Sequence, residues 1–348
     1  MRAAVMRSGA LIVDEVAEPV PVAGQVLVRT LACGICGSDL HALKHADQMV
    51  LMSEESTDGV PEAMRPQIMD PTHDVVMGHE FSAEVLELGE NVGNVAVGDI
   101  VVSLPVAFGP TGIHAIGYSN ELPGGYGERM VLSDMLCVKV PNGLDPRHAA
   151  LTEPMAVGLH AVNRSTIQAG NAAVVLGCGP VGLAIIAALA QQHVEPIVAA
   201  DFSPARRALA LTMGAHVAVD PREEPAIEAW RRLGGKEPLH LYEAVGVPGM
   251  IDQAFRDAPR GAQIMVAGVC METDEIRPMR AIAKELTIRF VLGYDPMEFG
   301  ACLTAIAEGT YDITPMITGS VGIDGVPQAF VDLANPDQHC KILVEPAG

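Results

Sequence analysis

Residues 173–182 read Ala-Val-Val-Leu-Gly-Cys-Gly-Pro-Val-Gly. A short apolar strand runs into glycines at 177, 179 and 182, an apolar helical stretch follows from Val181 to Gln191, and Asp201 closes the next apolar strand. A dinucleotide-binding turn needs this arrangement. Gly177 permits the tight turn and Gly179 lets the backbone approach a pyrophosphate at the helix N-terminus. Val181 stands in the first helical turn, and Gly182 lets helix and strand pack closely. Asp201 can accept from both ribose hydroxyls and would repel a 2'-phosphate, so NAD is expected rather than NADP. Arg206 and Arg207 temper that preference, since Arg206 could pair with a phosphate or lie along the adenosine, and both could equally occupy an exposed helix face. Gly246 and Gly268 end later strands at the same sheet edge, where ligands of such sheets bind.

Outward from this turn, strands and helices alternate between Ala172 and Tyr294, which predicts a parallel sheet with crossover helices. The segments before it differ. Residues 2–6, 11–16 and 25–32 alternate or run in β-branched residues between Gly- and Pro-rich turns, as short antiparallel strands do. From Lys44 to Val76 the pattern dissolves into methionines, acidic residues and prolines without a sustained period. So long an excursion is either a Met-lined wall of a substrate pocket or a surface insertion. Helices at 298–308 and 326–334 and strands at 317–321 and 341–344 are assigned back to the first, β-rich domain. The expected domains are thus 1–154 with 295–348, and 155–294.

The chain has 348 residues, of which 22 are Lys or Arg and 43 Asp or Glu, giving a net charge of −21. That charge repels polyanions, so nucleic acid is excluded as a partner, and solubility accounts for the acidity. No apolar run reaches the roughly 18 residues of a membrane span, and no membrane association is expected. The N-terminus lacks the pattern of a signal peptide, and seven cysteines spread along the chain form no disulfide framework. A cytoplasmic protein is expected. The strand 286–292 reads as an apolar sheet edge, which predicts a homodimer or homotetramer.

A second stretch, Cys33-Gly-Ile-Cys36-Gly-Ser38-Asp39-Leu-His41, follows a strand, and Gly78-His79-Glu80 and Glu153-Pro154 come later. Ser38 or Asp39 is suited to cap a short helix beginning at Leu40. Cys36, His79 and Glu153 would give a metal one sulfur, one nitrogen and one oxygen with a fourth position open, a set that suits catalytic zinc. Taken singly, Cys36 could be a buried thiol or half of a redox pair with Cys33, His79 a core histidine and Glu153 a surface carboxylate.

In order and spacing, these motifs with Gly98-Asp99 and the glycine-rich turn resemble the zinc-dependent medium-chain alcohol and polyol dehydrogenases over nearly the whole chain. The Glu-Pro-x-x-x-Gly-x-His pattern is closest to the sorbitol, threonine and secondary-alcohol branches. The resemblance implies an α/β plus β architecture, a GroES-like catalytic domain with an inserted Rossmann domain of doubly wound parallel sheet. It implies one catalytic zinc on Cys36, His79 and Glu153, with Glu80 as the adjacent carboxylate able to replace water or a ligand, and Ser38 and His41 as a proton relay. It also implies reversible hydride transfer between an alcohol and NAD, the small-molecule product being a ketone. Residues 104–126 contain no cysteine, so the second, structural zinc of many relatives is not expected. A zinc-free quinone or enoyl reductase and a non-catalytic dinucleotide-binding regulator remain as alternatives.

Overall fold

In a computed structural model, which describes residues 1–141 and 143–346, the alternating pattern after Ala172 builds a six-stranded parallel sheet. Its order is Val217–Val219, Ile197–Ala200, Ala173–Leu176, His240–Glu243, Gln263–Val266 and Thr287–Phe290. The order reverses at Ala173–Leu176, so the glycine turn that follows lies at the switch point where such sheets bind ligands. The central strands are buried except for the half-buried Leu176, which explains their largely apolar character, and Trp230, Phe255 and Ile264 fill one side of the core. A short helix at Pro278–Lys284 precedes the last strand. Sequence reading missed it because seven residues hold too little period; its signals are Pro278 in the first turn and Lys284 in the last.

One assignment from sequence changes here. The chain divides into one unit of Met1–Glu153, Ile317–Ala334 and the residues from Lys341 on, and a second of Pro154–Met316 and Asn335–Cys340. Residues 295–316 therefore group with the parallel sheet rather than with the β-rich segments. The reason is packing: the helix Pro296–Ala307 buries Phe299, Cys302, Leu303 and Ile306, and Tyr294 stacks on Phe299. Glu298 accepts from Asn163 at 2.8 Å and pairs with His160 at 2.7 Å, while the Tyr311 hydroxyl donates to Gln191. The last two positions of the 295–348 segment lie outside the described residues.

The first unit is built on a seven-stranded sheet whose central pair is Gln25–Gly34 and Glu80–Leu88. The C-terminal strand Lys341–Val344 inserts beside Gln25–Gly34, antiparallel to it, with Leu343 opposite Gly34. Segments distant in sequence thus meet inside the sheet, with Ile317–Val321 on the other side of Lys341–Val344. The excursion after Lys44 is not irregular: it forms a helix, Ala46–Ser56, and a two-residue strand, Pro66–Gln67, parallel to Gly112–Ala115 of a hairpin with Val106–Gly109. Met49 and Val50 face the core whereas Leu51 and Met52 are exposed. Four consecutive apolar residues run round the helix, and this masks its period.

Candidate metal centre and nucleotide site

The strand Gln25–Gly34 ends beside Glu80, its partner across the ladder. A side chain at position 34 would force Glu80 to move, because a Cβ would lie 2.0 Å from Glu80 Oε2. Cys36 then caps a helix, Gly37–Lys44, which starts three residues earlier than expected. Asp39 is its third residue, and its carboxylate accepts from the Cys36 backbone N–H at 3.0 Å. The expected cap is therefore corrected: Asp39 reaches back to the capping residue, as the third position of a capping box does.

The Cys36, His79 and Glu80 ligand atoms all lie within 4.8 Å of one another, the one such group among the described residues. Glu153, half-buried in the first turn of the helix Thr152–Asn163, does not join it. Sulfur, imidazole nitrogen and carboxylate oxygen together suit zinc, and the surroundings favour a positive charge. His79 Nδ1 is buried without a hydrogen bond, 3.3 Å from Asp39 Oδ1. Burial works against a charge on His79, but Asp39 and Cys36 outweigh it and raise its pKa well above the ordinary imidazole value. Burial likewise opposes ionisation of Asp39, yet His79 and hydrogen bonds from Tyr126 and the Cys36 N–H hold its pKa below the usual carboxylate range. The residues fit a cation.

Two neighbours complete this electrostatic balance. The Tyr126 hydroxyl donates to Asp39 Oδ2 at 2.6 Å, and burial followed by the Asp39 charge pushes that phenol's pKa up, so it remains a donor. Lys341, fully buried, donates from Nζ to both Glu80 oxygens at 2.7 Å and to the Ile35 carbonyl at 2.9 Å. Sequence reasoning missed Lys341, Tyr126 and Tyr118. Lys341 had one signal, a lysine heading the wholly apolar run Ile342–Val344.

Ser38 and His41 share a helix, but no hydrogen bond joins them; the Tyr118 hydroxyl lies 2.9 Å from Ser38 Oγ and 3.1 Å from Asp39 Oδ1. Burial, then His45 and Lys44, lowers the His41 pKa. Cys33 is buried and its thiol pKa is raised by burial and by Asp39, so it packs rather than reacts.

In the second unit two glycines of the turn are constrained by their surroundings. Gly177 has φ +89°, and a Cβ on Gly182 would stand 2.0 Å from the Gly177 carbonyl oxygen. A Cβ on Gly179 would meet only Arg206 Nη1, at 3.9 Å, which leaves room before the N-terminus of the helix Pro180–Gln191 that carries Val181. Asp201 accepts from the Cys178 and Ser203 backbone N–H groups, each at 2.8 Å, so its carboxylate is held in place. Arg206 Nε is buried and unpartnered, whereas Arg207 is committed to the Asp201 and Phe202 carbonyls and to Asp220. Gly246 and Gly268 stand together, a Cβ on Gly268 falling 2.3 Å from Gly246 N.

A parallel sheet with a glycine-rich turn at its switch point and a Cys-His-Glu cluster able to hold a metal are the features to set beside known proteins. Residues 22–142 match the alcohol dehydrogenase GroES-like domain and residues 180–308 the zinc-binding dehydrogenase family. The chain is 32% identical to (R,R)-butanediol dehydrogenase of Bacillus subtilis (strain 168) over 96% of both proteins, and 26% identical to sorbitol dehydrogenase of the same strain over 99% of this chain and 97% of that protein. The crystal structure of 2R,3R-butanediol dehydrogenase from Bacillus subtilis superposes with a TM-score of 0.82 over 99% of both chains. A structure from Sinorhizobium meliloti 1021 bound to NADP, 27% identical, gives 0.83 over 99% of both chains. The chain belongs to the zinc-dependent medium-chain alcohol and polyol dehydrogenase family, with a GroES-like and a Rossmann domain. It is an NAD(P)-linked oxidoreductase of alcohols.

Proposed function

We propose that the protein interconverts a secondary alcohol or polyol and its ketone with NAD, at one zinc ion held by Cys36, His79 and Glu153. The carrying observation is the Cys36–His79–Glu80 cluster, His79 and Glu80 buried and Cys36 half-buried, for which a zinc-free reductase has no use. Glu80 is nearer than Glu153, but Lys341 engages both of its oxygens, and this favours Glu153 as the oxygen ligand and Glu80 as the reserve. When bound, zinc polarises the alcohol oxygen, much as it brings the pKa of water from about 16 to about 7, and the nicotinamide accepts hydride. Asp39, whose Oδ1 lies 3.3 Å from His79 Nδ1, steadies the imidazole through its charge. Ser38 takes the alcohol proton and His41 passes it to solvent, its lowered pKa keeping it neutral and able to accept at pH 7.

The parallel-sheet unit binds the nucleotide: Gly177, Gly179, Val181 and Gly182 at the pyrophosphate, Asp201 and Arg206 at the adenosine ribose, Gly246 and Gly268 at the sheet edge. Preference for NAD rests on Asp201, whose held carboxylate opposes a 2'-phosphate. No helix among the described residues is long and apolar enough to cross a membrane; the odd number of cysteines, spread along the chain, supports a reducing, cytoplasmic setting.

The test is NADH formation with a panel of alcohols, before and after chelation, alongside zinc analysis. Cys36→Ala and Glu153→Gln should each lose zinc and activity, while Glu80→Gln keeps most of its zinc. A Cys36→Ala protein with normal zinc and turnover would refute the mechanism.

A further inference from the structure

The excursion helix encloses something besides core. Between it and the hairpin lies a cavity of about 220 Å³, lined by Met49, Val50, Ile68, Met69, Ala115 and Tyr118. The space opens to the surface, and its volume is far above the roughly 10–15 Å³ that one water needs, so it can admit more than a single solvent molecule. Polar side chains on the wall are already engaged: Ser53 donates to the Met49 carbonyl, Thr57 to the Ser53 and Glu54 carbonyls, and Gln67 to the Thr111 carbonyl. The surface offered is mainly methyl, methylene and thioether, which adapts to hydrocarbon and would leave hydroxyl groups poorly satisfied.

Tyr118 ties this cavity to the chemistry. One side of the residue lines the cavity, its hydroxyl is 2.9 Å from Ser38 Oγ, and its ring centroid is 5.4 Å from that of His79. Tyr118 is thus shared between the wall of the apolar space and the surroundings of Ser38 and His79.

We propose that the cavity receives the hydrocarbon arm of the alcohol, so that the preferred substrates are secondary alcohols with one short and one extended apolar substituent rather than sugars or polyols. This rests on the alcohol-oxidising reading above and narrows its substrate class. Met49 and Met69 let the wall follow arms of different shape, and the excursion exists to build that wall.

The test is a 2-alkanol series, 2-propanol to 2-octanol, with zinc-loaded enzyme and NAD. We expect kcat/KM to rise about fourfold per methylene until the space is filled, the equivalent of roughly 0.8 kcal/mol per buried CH₂. Sorbitol should lie far below 2-octanol. Ala115→Leu and Ile68→Phe, which fill the cavity, should each lower the ratio of kcat/KM for 2-octanol to that for 2-propanol at least tenfold, with circular dichroism verifying the fold. Independently of turnover, 2-octanol should raise the melting temperature of the native enzyme more than 2-propanol at equal concentration, and the filled variants should lose that difference. Turnover with a flat or falling series, sorbitol preferred to 2-octanol, or filled variants with an unchanged ratio overturns the inference alone. No turnover of any alcohol overturns the reaction and the inference with it.

Discussion

At the scale of single residues, the most consequential contact is one between positions 261 apart. Lys341 and Glu80 are both removed from water, so each depends on the other for compensation. Breaking such a pair from one side costs about 3–5 kcal/mol, because an uncompensated charge stays buried. Lys341→Met should therefore destabilise by about that much in urea titrations. The double variant Lys341→Met with Glu80→Gln should cost less than the sum of the two single changes, and strict additivity would deny the coupling. His41 carries a prediction in pH. In the proposed relay its neutral form would accept the proton, and its pKa is lowered by burial, His45 and Lys44, so the neutral form persists to lower pH than in free histidine. Alcohol oxidation should hold through pH 7 and fall only below the ordinary imidazole value of about 6.5. His41→Gln should lower kcat on the order of 10²-fold and erase that acidic limb; an unmoved profile would remove His41 from the relay.

Among elements, the strand Gln25–Gly34 decides whether the metal site can form. Gly34 is needed for space rather than conformation, since any Cβ would strike Glu80 at 2.0 Å, whereas a Cβ at nearby Gly37 meets nothing within 4 Å. Gly34→Ala should cost about 1–3 kcal/mol as an overpacked site and reduce zinc content, with Gly37→Ala as the control that does neither. The glycine turn makes a parallel case in the other unit. Asp201 is fixed by two backbone N–H groups beside an unpartnered Arg206 Nε. Removing the carboxylate by Asp201→Gly should lower the ratio of kcat/KM for NAD to that for NADP by at least tenfold, since the repulsion of a 2'-phosphate goes while the guanidinium remains. An unchanged ratio would deny Asp201 its part in cofactor choice.

For the whole molecule, the open question of assembly falls on the last strand of the parallel sheet. Thr287–Phe290 pairs on one side only, and Phe290 and Leu292 are 66% and 86% exposed, with Met279 and Ile282 exposed nearby. An edge so apolar invites a copy of itself. Phe290→Lys with Leu292→Glu should shift sedimentation toward the monomer, and a native protein that sediments as a monomer would rule the edge out as an interface.

The sequence by itself determined the parallel sheet and the glycine turn with Asp201, and it singled out Cys36 and His79, which the fold brings into one cluster, because each is written in local spacing: period and turn residues. It did not disclose that Lys341 answers Glu80, that Glu80 rather than Glu153 joins the closely spaced cluster, that Pro296–Ala307 packs with the parallel sheet, or that the stretch after Lys44 walls a cavity against Tyr118. Those depend on which surfaces meet once the chain has folded. Pairing of Lys341–Val344 beside Gln25–Gly34 brings a lone lysine to a buried carboxylate, and burial then makes that contact obligatory.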